Sequence, residues 1–112
     1  MSKEYLKQIK KIETLIRNKT IEQRQEEKLG VDASYIRNEI KQMQGARASI
    51  IADIQKLKEP EYDVLHRIYV QGETLYEVAD ARGISYSMAT TIHGRALKNL
   101  ADIIEGNTYR RY

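Results

Sequence analysis

TLYEVADARGISYSMATTIHGRALKNL, residues 74–100, decides the fold. Its opening Thr74-Leu75-Tyr76-Glu77 has the form of a capping box. The threonine hydroxyl accepts from the backbone of the incoming helix, and the glutamate reaches back to the threonine N–H. Val78 and Ala79 then face inward, Gly83 permits a tight left-handed turn, and Ser85 caps the next helix. Ala89, Ile92, Ala96, Leu97 and Leu100 return at helical spacing, a stripe that ends near Gly106. Small Ala79, Gly83 four residues on, and small Ala89 suit two helices crossing near a right angle. A larger side chain at Ala79 would hold them apart. This spacing is a helix-turn-helix signature.

Upstream, Tyr62, Leu65, Ile68 and Tyr69 give a third short helix one apolar face, closed by Gln71-Gly72. Pro60, the only proline, suits the first turn of that helix and disfavours helix in the residue before it. A boundary is therefore expected at residues 58–61. Before it, Tyr5, Ile9, Ile12 and Ile16 recur at 4, 3 and 4, flanked by Leu6 and Leu15. Gly30 is a natural stop, and Asp32 or Ser34 can cap a second helix. Ile36, Ile40, Met43, Arg47, Ile50, Ile54 and Leu57 then form a heptad seam interrupted once, at Arg47. Arg47, with Gly45, Ala46 and Ala48 beside it, marks either a close crossing or a solvated gap. Helices over about 3–28 and 33–58 pack most simply as an antiparallel hairpin, each arm roughly 39 Å long. The expected fold is all-α: a hairpin over 1–58, a three-helix module over 59–106, and a flexible basic tail over 107–112.

Composition narrows function. The 112 residues include eight tyrosines but no phenylalanine, tryptophan or cysteine. Without cysteine there is neither a disulfide framework nor a thiolate metal site, which suits a reducing compartment. No apolar run approaches 18 residues and no leader is evident, so a cytoplasmic protein off the membrane is expected. Net charge is +3, but residues 1–60 hold 13 Lys/Arg against 9 Asp/Glu while residues 61–112 hold 6 against 7. Positive charge on a nucleic-acid protein usually sits on the reading module. Here most of it sits on the other half, although Arg82, Arg95, Lys98, Arg110 and Arg111 all follow residue 80.

Catalysis finds little support. His66 and His93, the only histidines, fall on different helices with no carboxylate at a ligand spacing. His66 reads as a partly buried helix residue, and His93 as a hydrogen-bonding partner for DNA or a neighbouring helix. A phosphate loop, a nucleophile elbow and paired carboxylates in an apolar setting are all missing. No enzyme, metal site or cofactor is expected.

Leu57 through Leu100, and most clearly the quoted stretch, resembles region 4 of bacterial sigma factors, the helix-turn-helix that reads the −35 promoter element. The chain is more similar still to small phage and prophage proteins with sigma-like C-terminal halves, relatives of the late-gene activators of ArpU and RinA type. KEYLKQIKKIETLIRNK at residues 3–19 resembles their N-terminal stretch, although the loop around Gly30 to Ser34 is shorter than in many members. The resemblance implies a DNA-binding regulator of phage gene expression. Carried over by position, it places Tyr86, Ser87, Thr90 and Thr91 towards bases, and Arg95 and Lys98 towards phosphates. The chain departs from the family at Ser87 and Thr91, where basic residues are common. Arginine makes the commonest bidentate contact to guanine, so guanine-rich readout is put in question. Arg82, Arg95, Lys98 and the tail Tyr109-Arg110-Arg111-Tyr112 remain for phosphate contact.

Two functions stay open. One is a transcriptional regulator on double-stranded DNA, monomeric or dimeric through the hairpin. The other is a protein-interaction module on the same fold, acting on RNA polymerase, a repressor or a host defence nuclease.

Overall fold

The computed structural model describes residues 2–106, and helix is the only regular element, with no strand among them. Helix α1 spans Ser2–Lys28 and α2 spans Ser34–Ile54. A short α3, Glu61–Leu65, runs directly into a π-helical turn, His66–Val70. Helices α4, Leu75–Arg82, and α5, Tyr86–Ile104, complete the order.

Helices α1 and α2 lie side by side in opposite directions, as their cross-links show. Tyr5 donates to Asp53 at 2.6 Å, Arg47 pairs with Glu13 at 3.0 Å, Lys19 with Glu39 at 3.4 Å and Arg37 with Glu27 at 2.9 Å. Arg47, the break in the heptad seam, is thus neither a bare gap nor a close crossing. It spans the two helices to reach a carboxylate. The loop closes on Gly30 at φ +77°, and Asp32 accepts from the Ser34 backbone N–H while Ala33 occupies the cap position. The Asp32 carboxylate therefore acts from one residue outside the cap.

Helix α2 ends four residues before the 58 that its periodicity suggests. Lys56 N–H turns back to Asp53 O and Leu57 N–H to Ile54 O, a tight turn that carries Leu57 inward. The proline ahead disfavours helix in Glu59, so the chain leaves the helix where burial of Leu57 requires it. At the other end of α3 the helix widens: Gln71 N–H bonds His66 O, five residues back, and Gly72 follows at φ +77°. A π-turn inserts a residue into the register, which the 3.6-residue pattern of Leu65, Ile68 and Tyr69 does not announce.

One core serves both halves of the chain. Leu6 and Ile9 of α1 and Ile50 and Ile54 of α2 pack with Leu57, Leu65, Tyr69, Ala96 and Leu100. Ser2 Oγ also donates to Leu97 O at 2.8 Å, fastening the start of α1 to α5. Buried Glu61 accepts from Asn99 at 2.9 Å and holds α5 against α3. A smaller cluster of Val64, Val78 and Ile92 lies beneath α4 and α5. Away from these clusters the hairpin is two helices thick, and Leu15, Ile21, Leu29, Val31 and Tyr35 stay exposed. The radius of gyration, 17.3 Å, exceeds the about 13 Å of a compact chain this long. The projecting hairpin accounts for the excess.

Candidate nucleic-acid interface

The capping box at the start of α4 is formed: Glu77 N–H donates to Thr74 Oγ1 at 3.2 Å and Thr74 N–H to Glu77 Oε1 at 2.8 Å. At its end Gly83 is left-handed at φ +67°, with Gly83 N–H on Asp80 O and Ile84 N–H on Ala79 O. This double bond pattern is a Schellman stop, and its hydrophobic partner Ile84 packs on the Val64–Val78–Ile92 cluster. Only a residue without Cβ takes that φ cheaply. Ser85 then accepts from Met88 N–H at 3.0 Å and starts α5. Four local devices within twelve residues thus fix how α4 hands over to α5.

Helix α5 is held by Ala89, Ile92, Ala96 and Leu100, all buried, and its opposite side carries Ser87, Thr91, Lys98 and, nearer the edges, Thr90 and Arg95. Those five residues are exposed. The first turns of this outer face hold no charge. Thr90 Oγ1 donates to Tyr86 O and Thr91 Oγ1 to Ser87 O, each at 3.0 Å, so both hydroxyl protons are used within the helix. Tyr86 stacks on Tyr76 of α4, ring centroids 4.3 Å apart and planes 22° from parallel. Tyr76 is 70% exposed, and Met88 of α5 is half exposed. Sequence reasoning gave these two no part in the face. The signal was available: Tyr76 sits at the second position of a capped helix, where the capping residues on either side already turn outward.

The cations divide. Arg95 and Lys98 have no ion pair to another described residue and stand one to two turns beyond Thr91. Arg82, expected at phosphate, instead gives its guanidinium to Asp63 at 2.6 Å and Glu59 at 3.0 Å, tying α4 to α3. Arg67 joins the same Asp63 at 2.9 Å. Burial pushes the Asp63 carboxyl up, but hydrogen bonds from Arg82 and Arg67 outweigh it and leave the group below its usual 3.8. Arg82 therefore serves the packing of the module. Arg110 and Arg111 lie outside the described residues.

The histidines face inward. His93 Nε2 and the Tyr69 hydroxyl are 2.9 Å apart, with their rings stacked at 5.8 Å. Of the two partners expected for His93, DNA or a neighbouring helix, the side chain holds the latter. His66 is half-buried against Tyr62, at 5.6 Å between ring centroids. No helix of the described residues is long and apolar enough to cross a membrane.

Among proteins of known function, RNA polymerase sigma factor SigO of Bacillus subtilis (strain 168) is 38% identical to this chain over 47 residues. The matched stretch is 42% of this chain and 27% of the sigma factor, so the chain spans about a quarter of that protein's length. No protein-family model matches the chain, and no solved structure does.

Proposed function

We propose that this chain is a DNA-binding transcriptional regulator of phage type. Helix α4, the Gly83 turn and α5 act as a sigma region 4-like helix-turn-helix, and the α1–α2 hairpin offers a surface to a partner or a second copy. The observation that carries this reading is the outer face of α5. Its uncharged first turns are exposed, and the exposed Arg95 and Lys98 follow one to two turns on. Similarity to a sigma factor over 47 residues supports it.

Salt dependence tests it. Two phosphate contacts, from Arg95 and Lys98, give log K against log[salt] a slope of about −1.8, and about −3.6 if Arg110 and Arg111 add two more. Arg95→Ala should weaken binding to all duplexes alike and flatten the slope by about one unit. Thr91→Arg should tighten binding.

A second reading has its own observation. The stacked Tyr76 and Tyr86 are an exposed, uncharged pair at the tip, and aromatic residues are enriched where proteins meet. In that case the target is RNA polymerase, a repressor or a defence nuclease. Absence of duplex binding at about 50 mM salt, with a protein captured through residues 86–95, would put this reading in place of the first.

A further inference from the structure

We propose that the outer face of α5 recognises the C5-methyl groups of thymine, and so selects A·T pairs over G·C pairs in duplex DNA. This rests on the DNA-binding reading above and specifies what its tip would read. In the major groove guanine presents two acceptors, N7 and O6, whereas thymine presents one acceptor and a methyl group. Reading guanine therefore takes donors, and reading thymine takes an apolar surface.

The tip of α5 is short of donors. Residues 86–92 contain no lysine or arginine. A hydroxyl has one proton to give, and those of Thr90 and Thr91 are given to Tyr86 O and Ser87 O. What these two exposed side chains offer outward is a γ-methyl group and spare lone pairs. His93 is no substitute, because it is half-buried with its ring stacked on Tyr69 and its Nε2 engaged by that hydroxyl. Ser87 and the Tyr86 phenol are the hydroxyl donors left on this turn.

The same tip is rich in carbon. The half-exposed Met88 adds a thioether, and the Tyr86 ring, braced by its stack on Tyr76, adds a stiff aromatic edge. Guanine acceptors pressed against this surface would lose water without gaining a donor, which is a penalty. Thymine methyls would lose water against methyl and ring carbon, which is a gain. The cations that supply affinity, Arg95 and Lys98, lie one to two turns on and do not alter the choice.

The test uses the full chain and pairs of A·T-rich duplexes of about two turns, 21 base pairs, made with either thymine or uracil, which lacks only the methyl. Fluorescence anisotropy at about 50 mM salt reads the affinity ratio. Each contacted methyl should favour thymine about fourfold. Exchanging cytosine for 5-methylcytosine in a G·C duplex should strengthen binding in the same direction. Thr90→Ser and Thr91→Ser keep the hydroxyl and lose the methyl, and should bring the thymine-to-uracil ratio towards one. Equal affinity for thymine and uracil duplexes, with salt-dependent binding retained, overturns this inference and leaves DNA binding standing. An undiminished ratio in both serine variants overturns the assignment to these threonines. Failure of every duplex to bind overturns the DNA-binding reading and this inference with it.

Discussion

At the scale of single residues, the side chains of α5 are sorted by what each has already bonded. His93 is half-buried beside Tyr69, and burial, assisted by the Lys3 ammonium, holds its imidazole below the ordinary 6.5. A base depressed in this way is neutral in the folded chain at pH values where the unfolded chain is protonated. Its contribution to stability is complete above about pH 6.5 and is lost as pH falls through the folded value. The thermal midpoint should therefore drop between about pH 7 and pH 5, and His93→Gln should show a smaller drop, measured by circular dichroism. An identical pH profile in the two proteins would mean that His93 takes its proton as readily folded as unfolded. Position alone did not reveal this sorting. The resemblance places Tyr86, Ser87, Thr90 and Thr91 towards bases, but only the folded structure shows that two of their hydroxyls are spent on the helix backbone.

At the scale of elements, the joint between α4 and α5 depends on small residues and local caps. Ala79 is 6% exposed at the centre of that joint, and its carbonyl accepts the bond that closes the Gly83 turn. Ala79→Leu adds three further carbons at this buried position, and overpacking of this kind costs about 1–3 kcal/mol. Chemical denaturation should register that loss, whereas an unchanged midpoint would place Ala79 at the surface. The same end of helix α4 is tied to α3 by the Arg82–Asp63–Arg67 network, whose carboxylate is kept ionised below the usual range. Because that group is depressed, its contribution is present above about pH 4 and fades as pH falls through the folded value. Asp63→Asn should cost about 1.5–3 kcal/mol at neutral pH, towards the lower end because the pair is partly solvated. The same substitution should remove part of the loss of stability in acid, read from midpoints at pH values on either side of that range.

At the scale of the whole molecule, the hairpin and the module are bound by a common core. Leu6, Ile9, Ile50 and Ile54 from the hairpin meet Leu65, Tyr69, Ala96 and Leu100 from the module, all at or below 8% exposure. Ile9→Ala should therefore cost about 2–5 kcal/mol, and the tyrosine signal and the helical signal should be lost together in one transition. Two separated transitions would show that the halves fold independently. The distal hairpin behaves differently. There Leu15, Ile21 and Leu29 are exposed, and ion pairs such as Lys19–Glu39 and Arg37–Glu27 cross between the two helices. Partly exposed pairs contribute about 0–1 kcal/mol each, so hydrogen exchange should be fastest there.

What the sequence determined by itself was local. The capping box at Thr74 and Glu77, the left-handed Gly83, the Ser85 cap and the inward Ala89–Ile92–Ala96–Leu100 stripe all rest on groups within a few residues of one another. Backbone chemistry and helical period fix such features whatever the rest of the chain does. Only the tertiary structure decided the π-turn at His66–Val70, the inward turn of Leu57 that stops α2, and the pairing of Arg47 with Glu13. It also decided that Arg82 pairs with Asp63 and Glu59, and that one core joins the two halves. Each of these depends on partners brought together by packing, up to 95 positions apart for Ser2 and Leu97. A charge in sequence carries no mark of whether a carboxylate from another helix will be waiting for it. The fold was written in short-range pattern, and the freedom of each side chain to act was settled by long-range contact.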